Sequence, residues 1–115
     1  YIKKPLITET ALSEPSHKFP KGYCTEWVAS KRYVPWNGNA ESWLANAKSS
    51  GYEIGQEPKE GAIIVTSESP IGHVAYVEEV KEHEITISEK NYKGWNLISY
   101  RTIPQDYKAI MGYIY

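Results

Sequence analysis

Three features of the 115-residue chain predict an α+β fold: two short helical stretches confined to its first half, five strand-like runs after them, and a turn signal pairing two of those runs as a hairpin. Residues 1–19 carry prolines at Pro5 and Pro15 and no sustained periodicity, and read as an N-terminal arm, extended or strand-like, lying on a domain of residues 20–115. A Pro/Gly loop, Lys18-Phe19-Pro20-Lys21-Gly22, feeds a first helix expected from near Cys24 to about Tyr33, with Trp27, Val28 and the stem of Lys31 turned to the core. Pro35 stops that helix and Asn37-Gly38 is a strong turn pair. A second helix follows, capped by Asn39, with Trp43, Leu44 and Ala47 on one face and Gly51 closing it. Residues 61–66 are a buried strand, residues 96–102 and 111–115 supply two more, and segments 34–39, 52–60 and 92–96 are expected to shape a groove.

The two remaining strands, His73–Val80 and Glu84–Asn91, are separated by a short polar turn and form an antiparallel hairpin. Period-two alternation puts Ile85, Ile87, Glu89 and Asn91 on one face, and the isoleucines assign that face to the core. An odd-numbered loop would put His73, Ala75 and Val77 on the same face, so that His73 meets Glu89 or Asn91. An even-numbered one would set them on opposite faces.

Composition narrows the function classes. Thirteen basic against fourteen acidic residues, with no basic cluster beyond Lys3-Lys4 and Lys31-Arg32, argue against nucleic acid as a partner. No apolar run approaches membrane-spanning length, so no membrane insertion is expected, and no signal peptide is evident. The chain opens at Tyr1 and carries no wall-binding repeat, and is expected to belong to a longer, multidomain protein. Ten Tyr and four Trp against one Phe suit a wet groove that stacks on sugars or peptides, or equally a sheet rich in strand-favouring Tyr. Trp36 and Trp43 read as helix-packing core rather than as a sugar platform.

The single cysteine sits where a nucleophile would sit. At a helix N-terminus, unpaired backbone N–H groups and the positive end of the dipole favour thiolate over thiol. Cys24, then His73 at a strand start, then Glu89 and Asn91 at a strand end make the order of a papain-like cysteine hydrolase. Taken singly, each residue has a duller reading. A lone Cys is usually a small buried hydrophobe, a lone His a satisfied structural residue, and Glu89 an edge-strand charge. His17 and His83 read as such background. Joint occurrence, in order, on elements that can converge, is what favours the site.

The runs Gly22-Tyr23-Cys24-Thr25, Trp36 to Trp43, Pro58 to Ile63, Gly72-His73-Val74-Ala75-Tyr76-Val77-Glu78 and Ile87 to Tyr92 together resemble the CHAP family, the cysteine, histidine-dependent amidohydrolases/peptidases. The resemblance covers roughly residues 20–115. It implies a papain-like fold, with two or three N-terminal helices on a mostly antiparallel five- to six-stranded sheet. It also implies bacterial or phage peptidoglycan hydrolysis, as N-acetylmuramoyl-L-alanine amidase or as endopeptidase on stem or cross-bridge peptides, by a protein secreted to the cell wall or by a phage lysin. Carried over residue by residue, Cys24 is the nucleophile, His73 the base, Glu89 the third member and Asn91 the amide beside it, with no cofactor. Some relatives bind calcium through an Asp-rich loop ahead of the cysteine; residues 1–23 hold no Asp, so no metal is expected. The chain departs from the family at Tyr23, where Gln is usual, and at Glu26, where an aromatic is favoured; an acid there opposes thiolate formation if it points inward. Two other readings stand beside hydrolysis of the wall: a catalytically silent wall-binding or assembly module of the same fold, and an amidase of small peptides.

Overall fold

A computed structural model describes residues 18–115; of the expected arm of residues 1–19, residues 1–17, with His17, lie outside the described residues. Helix α1 spans Cys24–Lys31, and a 3-10 turn at Ala40–Ser42 leads into α2, Trp43–Ser49. Six strands complete the chain: β1 Ile54–Gly55, β2 Ile63–Thr66, β3 His73–Val80, β4 Glu84–Lys90, β5 Ile98–Pro104 and β6 Ile110–Ile114. They form one antiparallel sheet in the order β1-β6-β2-β3-β4-β5. Two helices on such a sheet are the α+β arrangement expected. Six strands fall within the five to six that the resemblance implies, but the place of β1, in a segment read as a loop, was not legible: its two residues carry no alternation to read, and they form a strand only by pairing with Tyr113 and Ile114 of β6. The 52–60 segment therefore borders the sheet edge rather than the groove.

Each helix buries the face that its spacing dictates. Thr25, Val28 and Ala29 are the buried residues of α1, and Trp43 and Ala47 those of α2. Asn39 precedes the second helix without a side-chain capping bond; its carbonyl accepts the Ser42 N–H at 3.0 Å and the Ser42 hydroxyl at 2.9 Å. Gly51 does close it, in a left-handed conformation (φ 92°), with Gly51 N–H bonded to Lys48 O and Tyr52 N–H to Ala47 O, each at 3.0 Å.

Two apolar clusters lie on opposite faces of the sheet. Ile63, Val65, Val74 and Ile114 pack under the helices against Val28, Trp36 and Trp43, and the edge-on Trp36–Trp43 contact at 5.6 Å puts both tryptophans in the core. Residues one step out of phase (Ile64, Ala75, Val77, Ile85, Ile87, Ile103 and Tyr113) form the second cluster, drawn from the sheet itself. Burying one such isoleucine contributes roughly 1.5–3 kcal/mol. The polar residues of the site occupy one end of this second face.

Hairpin register decides which side chains reach that end. The last β3–β4 pair is Val80–Ile85, so four residues intervene, and an unbroken ladder from there would set Tyr76 opposite Glu89 and turn His73 away. A β-bulge between Val77 and Glu79 corrects the parity: beyond it Val77 pairs with Ile87 and Tyr76 with Ser88. His73 and Glu89 share a face because Glu78 is one residue too many. Contacts from α1 hold that extra residue in place. Its carboxylate accepts the Ser88 hydroxyl at 2.6 Å and pairs with Lys31 at 3.2 Å, while Ser88 accepts the Trp27 indole N–H at 3.0 Å.

Gly72 sets the entry of β3. Its φ is +82°, and a Cβ there would lie 2.5 Å from the backbone N of Glu41 and 2.8 Å from its Cα, in a contact closed by the Glu41 N–H to Ile71 O bond at 2.9 Å. Gly51 has a similar φ, but a Cβ there meets open space. Gly51→Ala should therefore cost only the left-handed strain, about 1 kcal/mol. Gly72→Ala adds a clash with backbone and should cost at least about 2–3 kcal/mol, a melting temperature lower by roughly 10 °C or more. Thermal melts of the two variants check this; equal losses would mean the Glu41 approach is not tight.

Candidate active site

Cys24 is the first residue of α1, where backbone N–H groups have no partner within the helix. Tyr23 precedes it in extended conformation and offers no side-chain cap. The loop ahead is pinned from two sides. Glu26 accepts the Gly22 N–H at 3.0 Å and the Lys90 ammonium at 2.7 Å, and the Gly22 carbonyl accepts the Asn96 N–H at 3.0 Å. Gly22 lies so close beneath the Trp95 indole that a Cβ would come within 2.2 Å of it. Glu26, expected to oppose a thiolate if turned inward, is instead spent on Lys90 and Gly22, contacts that hold its carboxyl below the usual range.

His73, the first residue of β3, is 5% exposed and lies between two partners. Its Nε2 is 2.8 Å from Oε1 of Glu89, and the Cys24 side chain lies close enough to act on the ring. With Nε2 engaged by the carboxylate, Nδ1 is the nitrogen left for sulfur. Burial alone depresses the imidazole, but the bonds to Cys24 and Glu89 outweigh it and raise the group to about 9. Glu89 is fully buried. Burial works to raise its carboxyl too, and the bonds from His73 and Arg101 reverse that and hold it below the usual carboxylate value. A thiol beside an imidazole that is hydrogen-bonded to a buried carboxylate can pass a proton from sulfur to nitrogen, and the carboxylate stabilises the resulting imidazolium.

The three residues singled out from sequence are thus brought together. Asn91, the fourth, lies just past β4 with φ 64°, a left-handed turn position that asparagine tolerates, and its N–H bonds to Leu97 O at 3.1 Å. Among the described residues its side chain makes no hydrogen bond to His73, Glu89 or Cys24. His83 is an exposed hairpin residue, as expected.

Sequence reasoning missed Arg101, which donates Nε to Glu89 Oε2 at 2.7 Å and Nη2 to Oε1 at 3.0 Å. A signal was available: Arg101 lies two residues before Ile103 and therefore on the core face of the strand after Glu89, where a charge needs a partner. Glu68, between β2 and β3, carried no such signal because no periodicity governs its loop.

Beside the pair lies a cavity of about 470 Å3 lined by Phe19, Tyr23, Thr25, Asn37, Asn39 and Ile71, among others, with no charged side chain. Tyr23 and Thr25 flank Cys24, and the lining residue Gly72 precedes His73, so the cavity borders both without including either side chain. Segment 34–39 therefore does line the groove. Exposed Tyr92 and Trp95 rise beyond His73, with the Tyr92 ring 5.8 Å from the imidazole.

The CHAP domain family model matches residues 14–91. The chain is 38% identical over 111 residues to the staphylococcal secretory antigen SsaA of Staphylococcus epidermidis, a match covering 91% of this chain and 43% of that protein. It is 37% identical over 106 residues to SsaA of Staphylococcus aureus, covering 87% and 41%. Among solved structures, an N-acetylmuramoyl-L-alanine amidase from Staphylococcus aureus superposes with a TM-score of 0.76 at 30% identity, over 89% of this chain and 33% of that one. The chain spans less than half the length of these relatives. A family model matching more than half of the chain, and relatives this similar along most of it, show that the chain belongs to the CHAP domain family.

Proposed function

We propose that this chain is the catalytic domain of a secreted, multidomain peptidoglycan hydrolase that cuts an amide bond through a thioester on Cys24. The observation that carries the reading is the His73–Glu89 hydrogen bond set beside Cys24 at a helix N-terminus, next to an open cavity. The names of its relatives, a secretory antigen and an N-acetylmuramoyl-L-alanine amidase, support the location and the substrate. The bond cut is the muramoyl–alanine amide or a peptide bond of the stem or cross-bridge.

His73 takes the Cys24 proton, or the two rest as a thiolate–imidazolium pair, and sulfur attacks the scissile carbonyl carbon. The unpaired N–H at the start of α1 faces the oxygen that gains charge. Collapse of the tetrahedral adduct expels the amine, which receives its proton from His73. Water then attacks the thioester with His73 as base, releasing the acid and restoring the thiol. Glu89 keeps a proton on Nε2 in the neutral ring, so that Nδ1 is the basic nitrogen, and stabilises the imidazolium.

Digestion of purified peptidoglycan by the parent and by Cys24→Ala, with mass spectrometry of the products, tests the reading. Loss of muramoyl–alanine linkages marks an amidase, and new peptide termini an endopeptidase. No Cys24-dependent product from several wall types would sink the reading in favour of a silent wall-binding module or a small-peptide amidase. His73→Ala should lose nearly as much rate as Cys24→Ala, and the double variant little more, because the residues act as a unit. The imidazole raised to about 9 gives the pH dependence its sign: the imidazolium that protonates the leaving amine persists through neutrality and is lost as pH rises through that value. Rate profiles should therefore fall on the alkaline side near pH 9; a fall already centred near 6.5 would contradict the Cys24 and Glu89 contacts.

A further inference from the structure

The hydrogen bonds around Glu89 continue beyond His73. Arg101, which grips both oxygens of Glu89, uses the rest of its fork on a second carboxylate: Nη1 donates to Glu68 Oε2 and Nη2 to Glu68 Oε1, each at 2.9 Å. Its guanidinium also stacks 3.6 Å from the centre of the Tyr92 ring. Glu68 is fixed on its far side by the Thr66 hydroxyl at 2.8 Å and the Tyr107 hydroxyl at 2.6 Å. Arg101 and Glu68 are themselves largely buried, with side chains 14% and 10% exposed.

Charge accounting gives this arrangement a direction. Glu89 alone against Arg101 would cancel, leaving an imidazolium at His73 facing a neutral pair. With Glu68 present, two carboxylates and one guanidinium leave one net negative charge, which the imidazolium balances. The groups that face His73 are Cys24 from α1, Glu89 from β4 and the Tyr92 ring from the loop after it. Those that face Arg101 are Glu89, Glu68, Tyr92 and the Tyr107 hydroxyl that shares Glu68 with it.

We propose that Arg101 and Glu68 are positioning residues of the Cys24–His73–Glu89 series: Arg101 locks the Glu89 carboxylate in the orientation that holds the imidazole, and Glu68 neutralises Arg101 so that the Glu89 charge remains available to His73. This rests on the reading of Cys24 and His73 as the working pair.

Two readouts test it without wall substrate, on the 115-residue chain and its variants. One is the titration of the His73 imidazole by NMR, told apart from His17 and His83 with His73→Gln. The other is the rate at which iodoacetamide alkylates Cys24, the sole cysteine. Against a parent midpoint of about 9, Glu68→Gln removes a negative charge and should lower the midpoint by about one unit. Arg101→Lys keeps its charge but cannot fork to both carboxylates; the midpoint should hold, while alkylation at neutral pH slows roughly tenfold. An unmoved midpoint in Glu68→Gln, or a parental alkylation rate in Arg101→Lys, overturns the proposal. Should either variant fail to fold, Glu68→Asp decides: it keeps the charge but withdraws from Arg101, so alkylation must slow, and a parental rate overturns the proposal. Failure of the parent to hydrolyse any wall, with both effects intact, would sink the substrate reading and leave this inference standing.

Discussion

A carboxylate without solvent contact governs this molecule. Glu89 is fully buried, and a buried charge is tolerated only where partners replace the water it has lost. Here one oxygen meets both His73 and Arg101 and the other meets Arg101 alone, so each is satisfied by a cationic or proton-bearing group. Removing one partner from such a pair typically costs about 3–5 kcal/mol, because the remaining charge is stranded. Stability and site geometry are therefore coupled: the arrangement that makes the carboxylate tolerable is the one that orients the imidazole toward Cys24.

That coupling explains why the second face of the sheet changes character along its length. Val77, Ile85, Ile87 and Ile103 make one end dry, and His73, Glu89, Arg101, Thr66 and Glu68 make the other polar and cross-bonded. The dry end anchors the strands, and the polar end inherits their rigidity. A site built on paired strands holds its geometry better than one carried on loops, which matters for a carboxylate whose bonds to His73 and Arg101 are each under 3.1 Å.

Much of this was legible from residue order. Cys24 after a Pro/Gly loop, His73 opening one strand and Glu89 near the end of the next place the three at converging element ends, and Trp43 and Ala47 at helical spacing announce their face. The parity of the hairpin was not legible. The expected strand ends leave three residues between them, but the pairing across the turn is Val80–Ile85, with four between, and the bulge that restores the face is held by Trp27 and Lys31 reaching Ser88 and Glu78. No local pattern encodes a contact across 61 residues. β1 escaped for the opposite reason: two residues have no periodicity, and only their partner defines them. Arg101 was half visible, as a charge in phase with Ile103, while Glu68 becomes meaningful only once Arg101 needs a second partner.

The departure from the family pattern at Glu26, two residues after the nucleophile, follows the same logic. Cys24 belongs to a helix packed on β3 and β4, while its proton partner belongs to the sheet, and the two must be held in register across that layer. Glu26 ties the loop before Cys24 to Lys90 at the end of β4, one residue from Glu89. Trp95 covers the same loop, and Asn96 bonds its backbone from the segment leaving β4. The strand that supplies the carboxylate thus also supplies the clamp on the nucleophile loop. An acid next to the cysteine is compatible with a reactive thiol here because its charge is consumed in that clamp, and the lysine that consumes it is placed by the same strand that places Glu89.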